Sequence, residues 1–347
     1  MFNSFAHNKR SLFLTFFIFF ATLIISGQDV ESHRIMFYNV ENLFDTFDDS
    51  LTRDEEFLPD GDRHWNSNKF YKKLNTIYKV VLGVGEWNPP AVVALCEVEN
   101  RFVLNQLVYE TPLKKFDYKV IHFESPDRRG IDVAMLYRKE FFQVDTAFPI
   151  PINFPFDINS KTRDILYVKG TFDKLDTIHL FVNHWPSRYG GYMKTKAKRE
   201  YVASVLKLAT DSILKINNQA NIVIMGDLND GPFEESLVKF LQAKTDTNEI
   251  KNTQLVNLLA LNADAGTLKY QGHWDLFDQV IVSGAMLDSG TGYKVKGNEA
   301  HIFKQDFLLE DDEKYLGQKP FRTYSGFRYI GGYSDHLPVY LDVIYKD

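Results

Sequence analysis

Asn221-Ile222-Val223-Ile224-Met225-Gly226-Asp227-Leu228-Asn229-Asp230-Gly231-Pro232 is an apolar, β-branched run that stops abruptly at a carboxylate, an amide and a second carboxylate. A short apolar run bounded by glycine and proline reads as a buried strand, Asn221–Met225, with its polar residues confined to one end. The same design recurs along the chain. Arg34–Val40 carries Asn39 near its end, Ala91–Val98 carries Glu97, and Thr177–Trp185 carries His184. An Asp after a strand is ordinarily a turn or cap residue. Polar side chains at the ends of successive strands mean more, because an active site on a rigid sheet is assembled in this way.

Helical patterns lie between the strands. Tyr71–Val84 places Leu74, Ile77, Val80, Val81 and Val84 on one face, and Arg101–Val108 reads as a short helix. Thr195–Ile216 reads as a long amphipathic helix with Ala203, Leu206, Ala209, Ile213 and Ile216 inward. A further helix, Phe233–Leu241, follows Gly231-Pro232. Consecutive strands at Tyr118–Phe123, Asp132–Arg138 and Phe141–Phe148 predict hairpin-linked antiparallel sheet, and Ile165–Phe172, Leu276–Val282 and Val339–Ile344 complete the set. Strands flanked by helices, with hairpins in the middle, predict two packed sheets covered by helices.

The composition, 44% hydrophobic and 25% charged with 29 Phe and 18 Tyr, supplies a large core and excludes a disordered or fibrous chain. At the N-terminus, Lys9-Arg10 precede an apolar run from Leu12 to Ile25, and Ser26-Gly27 follow. This is the pattern of a secretory signal peptide, residues 1–27, cleaved near Gly27, with one catalytic domain over residues 28–347. The run is short of the roughly 20 residues that a spanning helix needs. The expectation is a periplasmic or secreted protein, monomeric, with no stable membrane association after signal removal and no protein partner to be inferred. Removing the leader takes Lys9 and Arg10 and no acid, which shifts the formal charge from −6 to −8. An acidic protein gains no long-range steering towards a polyanion, so any nucleic-acid contact must come from a local basic patch. The lone Cys96 lies in an apolar strand and reads as a small buried hydrophobe.

A phosphodiester needs a cation on its non-bridging oxygens, a group that orients or deprotonates water, and a donor for the leaving oxygen. Glu97, Asn39 and Asp335 offer hard oxygen ligands suited to Mg2+ or Mn2+. His184 and His336 offer groups that titrate near neutrality. The acidic stretch Asp45–Asp62 reads either as a loop for a possible additional Ca2+ or as a solvated surface loop; its spacing does not match an EF-hand.

The segments Tyr38-Asn39-Val40-Glu41-Asn42-Leu43-Phe44, Cys96-Glu97-Val98-Glu99-Asn100, Gly130-Ile131-Asp132-Val133-Ala134-Met135-Leu136-Tyr137, Asn183-His184-Trp185, Gly226-Asp227-Leu228-Asn229-Asp230, Phe277-Asp278-Gln279-Val280 and Ser334-Asp335-His336-Leu337-Pro338-Val339 occur in that order. In motif and order the chain resembles the endonuclease/exonuclease/phosphatase superfamily, deoxyribonuclease I-like, as a secreted bacterial member. The resemblance implies an α/β fold: a four-layer α/β sandwich of two mixed, mainly antiparallel sheets flanked by helices. It also implies a metal held chiefly by Glu97, with Asn39 and Asp335 near it. Asp227 would orient or activate water, and Asn229 would position it and the phosphate. His336 would contact the scissile phosphate with Asp278 holding its ring, and His184 would bind phosphate or assist the leaving group. Asp132 either holds His184 in the same way or pairs with Arg128 or Arg129.

Substrate contacts are read at Arg188, just after His184, and at Phe321–Tyr329, where Arg322 and Tyr324 alternate aromatic and cationic character next to Asp335-His336. That segment suits single-stranded nucleic acid or packs its rings back onto the sheet. Lys194, Lys196, Lys198 and Arg199 form a basic face, either for phosphate or solvated. Alternation puts Glu99 on the side of Glu97 as a reserve ligand, and Asp230 reads as a helix cap. The sequence therefore predicts a secreted, divalent-metal-dependent phosphodiester hydrolase, an endonuclease cutting DNA, with RNA left open as a second substrate. The alternatives are a sphingomyelinase-like or inositol-phosphate phosphodiesterase or phosphatase, and a non-catalytic binding protein on the same fold. No exposed apolar hairpin of the kind a lipid enzyme uses for docking is evident after the leader.

Overall fold

In the computed structural model, which describes residue 1 and residues 32–262, 265–287 and 290–347, the apolar runs become the central strands of two sheets. The expected leader, residues 1–27, lies outside the described residues apart from Met1. The first sheet contains β1 (Ser32–Leu43), β2 (Val92–Val98), β3 (Tyr118–His122) and β4 (Asp132–Arg138), with the late strands Gly292–Ile302 and Val339–Lys346. Its order is Gly292–Ile302, Val339–Lys346, β1, β2, β4, β3, with β1 and β2 parallel and the other pairs antiparallel. The second contains β5 (Phe142–Ile150), β6 (Ile165–Phe172), β7 (Thr177–His184) and β8 (Asn221–Asp227), followed in order by Asp278–Ser283, Leu255–Asn257 and Ala243–Lys244. There β7 and β8 are parallel.

Both faces of the central strands are covered, which is why they read as unbroken apolar runs. Along β1, Ile35 and Phe37 pack between the sheets with Val182 and Val223, while Met36, Tyr38 and Val40 pack with Leu74 and Ile77 of α1 (Ser67–Gly85) and Leu104 of α2 (Arg101–Tyr109). Along β8, Val223 and Met225 face the first sheet, and Ile222 and Ile224 face Val202, Ala203 and Leu206 of α3 (Tyr192–Ile216). Helices, sheet, sheet, helix are the four layers that the motifs implied. Glu31–Asp347 is one compact unit. Asn66 and Asn100 cap α1 and α2 by accepting from Lys69 N and Val103 N. Among the described residues no helix is long and apolar enough to cross a membrane.

Three sequence expectations change, and one strand, Gly292–Ile302, was not among those expected. β3 and β4 form the expected hairpin, but β5 leaves it for the second sheet and pairs with β6. The crossing occurs where buried Arg138 is held by Pro89 O and Glu140, and Phe142 enters the inter-sheet core beside Phe172. The inner face of α3 is rotated: Arg199, Val202, Ala203, Leu206, Thr210 and Leu214 are buried, whereas Ile216 is 89% exposed. Phe233–Leu241 reduces to one π-helical turn, Ser236–Leu241. The edge strand Gly292–Ile302 has no apolar signature, because a bulge between Val295 and Ala300 leaves its middle exposed.

Candidate active site

Strand register assembles the site. The parallel pairing of β7 with β8 sets His184 opposite Asp227, and the antiparallel pairing of β8 with Asp278–Ser283 sets Asp227 opposite Asp278. Gly226 allows this close packing, since a Cβ there would lie 2.3 Å from Asn183 O. From the first sheet, Asn39 sits opposite Cys96, after which β2 bulges and Glu97 takes a left-handed backbone, φ 60°. Glu41 (φ 53°), Asn42 (φ 60°) and Asn229 (φ 51°) share that strained region, which clusters where function over-determines geometry.

The amide of Asn39 joins the two sheets. Its Nδ2 donates to Asp227 Oδ2 at 3.1 Å and to Glu97 Oε1 at 3.4 Å, and its Oδ1 accepts from Glu41 N. Glu97 Oε2 accepts from Asn42 N at 3.0 Å. Asn229 N donates to Asp227 Oδ1 at 2.9 Å, and its side-chain amide is tied to Trp185 O. His336 is set by Ser334, whose hydroxyl donates to Asn39 O and accepts from His336 N. Its Nδ1 bonds Asp278 Oδ2 at 2.7 Å, and its Nε2 lies 3.8 Å from Asp227 Oδ2. His184 Nε2 lies 3.7 Å from Asp227 Oδ2 and 3.8 Å from Glu97 Oε1.

These neighbours separate the two histidines electrically. Burial opposes charge on His336, but Asp278 and Asp227 overcome it and hold the imidazolium well above the ordinary histidine range. Burial, with Arg163, Arg129 and His336 nearby, pushes His184 well below that range, so it is neutral. Its Nδ1 is buried without a partner, so the proton belongs on Nε2, facing the carboxylates. Burial raises the Asp227 carboxyl to about 7; His336 opposes the rise while Asp278 and Glu97 add to it. The structure thus brings together Asn39, Glu97, His184, Asp227, Asn229, Asp278 and His336.

Other expected residues sit differently. Asp335 pairs with Arg322 at 2.9 Å, and although burial acts the other way, Arg322, His336 and Lys73 lower its pKa. Arg322 also pairs with Glu41. Tyr324 is buried, with its hydroxyl donating to Arg63 O, and offers no face for a base. Arg188 is held by Asp230, Glu234 and Asn229 O over the Phe277 ring. Asp132 bonds His122 at 2.9 Å and the Ser125 amide, not His184. Asp230 is a buried hub for Arg188, Arg199 and Ser236 rather than a cap. The bulge at Glu97 breaks strand alternation, and Glu99 turns to Asp45 N instead. Lys196 pairs with Glu200 and Glu235, and Lys198 with Asp157, so the basic face of α3 is largely neutralised.

In the acidic stretch, carboxylates build turns: Asp45 accepts from Phe47 N, Asp49 from Leu51 N, and Asp54 from Asp49 N. Among the described residues, the group of three ligand-type side chains that converges is His122, Glu124 and Asp132, none of them in that stretch.

Three supporting residues escape sequence reading. Arg163 donates to His184 O and Trp185 O and pairs with Asp127, fixing the end of β7. Glu41 accepts from Thr323 N, and buried Lys73 donates to Thr323 Oγ1 and Tyr333 O. Burial lowers Lys73 to about 8 against the pull of Glu41 and Asp335. Its sequence signal is a lysine at the apolar register of α1, between Phe70 and Leu74.

A divalent cation fits this donor set. Glu97 is 15% exposed, the neutral His184 ring 3.8 Å away does not offset its charge, and that charge helps raise the Asp227 carboxyl. Hard oxygens with an excess of negative charge suit Mg2+ or Mn2+.

The chain matches the model of the Endonuclease/Exonuclease/phosphatase family over residues 34–345. Comparison with curated proteins finds no match. Among solved structures, a humanized D. rerio TDP2 carrying 14 mutations is similar with a TM-score of 0.55 and 15% identity, covering 90% of this chain and 98% of that one. The human Nocturnin catalytic domain with bound sulfate anion is similar with a TM-score of 0.55 and 14% identity, covering 91% and 95%. D. rerio TDP2 complexed with single strand DNA product is similar with a TM-score of 0.53 and 14% identity, covering 90% and 98%. At these identities the likeness to the solved structures is one of fold.

Proposed function

The chain belongs to the endonuclease/exonuclease/phosphatase family, and from that premise we propose that it is a secreted, divalent-metal-dependent phosphodiester hydrolase, a nuclease cutting DNA, with RNA left to the test below. The observation that carries the reading is the buried His336–Asp278 pair set against Asp227 and His184 beside the carboxylate of Glu97. A cation beside imidazolium suits a phosphate, and a carboxyl near neutrality suits water. The TDP2 complex with single strand DNA product supports nucleic acid as the substrate class.

The roles follow from the geometry. Mg2+ or Mn2+ held by Glu97, with Asn39 and Asp335 near it, would neutralise charge on the phosphate. His336 donates Nε2–H to a non-bridging oxygen, its ring fixed by Asp278. Asp227, raised to about 7, accepts a proton from the attacking water, while Asn39 and Asn229 hold its two oxygens in place. Neutral His184 presents Nε2–H to the leaving oxygen. Secretion rests on the leader sequence, and export with cleavage near Gly27 is its expected consequence.

The test incubates the mature protein with plasmid DNA, RNA, sphingomyelin and inositol phosphates, each with Mg2+ or chelator, beside His184→Ala and Asp227→Ala. Mg2+-dependent nicking lost in both variants supports the nuclease. Turnover of lipid or inositol phosphate without nucleic acid overturns it, and no turnover at all favours a binding protein.

A further inference from the structure

A groove of about 480 Å³ adjoins the candidate site, walled by Arg128 and Arg129 before β4, Lys161 and Thr162 before β6, and Tyr189 beyond the end of β7. Its connection to the site is direct, since Arg163 lines it and also donates to His184 O. The chain as a whole carries −6, so positive charge gathered here is local.

Lys198, also on the wall, is paired with Asp157 at 2.8 Å, which Arg128 also feels at a distance, but among the described residues Arg128 and Lys161 enter no ion pair. Arg128 donates to a carbonyl, Asn159 O, which carries no net charge, and Lys161 is exposed. Arg129 stands 3.6 Å from Asp127, but Asp127 is already bound by Arg163 at 3.0 Å. The Thr162 hydroxyl is buried with no hydrogen-bond partner. Tyr189, 90% exposed, offers a free aromatic face at the rim. The segment expected to grip substrate does not compete, because Arg322 is tied to Asp335 and Tyr324 is buried.

Resting on the nuclease reading, we infer that this groove holds the single strand flanking the scissile phosphate. Neighbouring phosphates sit on Arg128, Arg129 and Lys161, and a base stacks on Tyr189. A duplex keeps its base faces stacked internally and has none to offer the tyrosine, so the site selects single-stranded nucleic acid.

The test is fluorescence anisotropy of a labelled oligothymidylate with the full mature protein in chelator, across a salt series, with cleavage in Mg2+ measured in parallel. The double variant Arg128→Ser/Lys161→Ser is expected to bind about tenfold more weakly, with the slope of log affinity against log salt smaller by about 1.4 for two lost phosphate contacts on a single strand. Tyr189→Ala is expected to bind about tenfold more weakly with the slope unchanged. Lys215→Ser, exposed near the far end of α3, controls for net charge and is expected to match wild type. Groove variants that behave like Lys215→Ser, or wild type that does not bind the oligonucleotide, overturn the groove. Oligonucleotide that binds through the groove yet is never cut sinks the hydrolase reading alone, and cutting with binding insensitive to the groove variants sinks the groove alone.

Discussion

At the scale of the residue, the buried pair of Asp278 and His336 is the sharpest commitment. Asp278 Oδ2 fixes His336 Nδ1 at 2.7 Å and helps keep the ring charged despite its burial. Asp278→Asn retains the shape and removes the charge, so turnover is expected to fall by about 10²–10³, the range for losing one preorganised donor to the charge of the transition state. Steady-state kinetics beside a thermal melt checks this, and unchanged turnover in a folded variant contradicts it. His184, Asp227 and His336 were legible because each stands in or beside an apolar strand whose neighbours have no use for a polar side chain, whereas Asp278 came only from the family resemblance. Arg163, Lys73 and Glu41 were not, since their partners are distant in the chain and only the packing of the sheets reveals them. Asp132 sits between these cases. Its choice of His122 follows from the β3–β4 hairpin, which pairs His122 with Ala134 and so sets Asp132 diagonally beside it.

Elements show where periodicity misleads. An apolar-face reading of α3 runs through Ile213 to Ile216, yet the helix is turned so that Arg199 lies inside against Asp230 at 2.8 Å, both fully buried. The side chain that sets the rotation is an arginine, which a hydrophobic pattern scores as surface. Arg199→Ala strands part of the Asp230 charge and is expected to cost about 3–5 kcal/mol in denaturant unfolding. Ile216→Ser, by contrast, is expected to stay within about 0.5 kcal/mol of wild type, because that side chain is already in water. The reverse order of costs contradicts the rotated helix. Strands were legible where both faces are buried, as in β2 and β8. They were illegible at the edge strand Gly292–Ile302, where a bulge and solvent remove the pattern.

For the whole molecule, the sequence carries the list of strands better than their partition between sheets. The turn after Arg138 sends β5 to the second sheet, and a local hairpin pattern contains nothing that distinguishes continuation from crossing. A half-buried histidine on the outer face of the second sheet, the α3 side, couples global stability to pH. Burial, with Lys169 nearby, lowers His179 to about 4, and its Nδ1 meets Tyr167 OH at 2.7 Å. The unfolded chain takes up that proton near pH 6.5 and the folded chain near 4, so His179 lowers stability progressively as pH falls across that window. Melting temperatures of wild type and His179→Gln between pH 7 and 4 are expected to show a smaller acid-side loss in the variant (pH range roughly that of histidine titration). Parallel curves contradict it.

On the proposed function, strand ends from two sheets converge on a phosphodiester-hydrolysing centre that works with a divalent cation. Single-turnover cleavage of a labelled oligonucleotide by the mature protein, with Mg2+ and then with chelator, beside Asp227→Asn, tests it most directly. Cleavage is expected to require Mg2+ and to fall by about a thousandfold or more when the Asp227 carboxylate becomes an amide. Cleavage that persists in chelator, or that Asp227→Asn leaves at the wild-type rate, contradicts it.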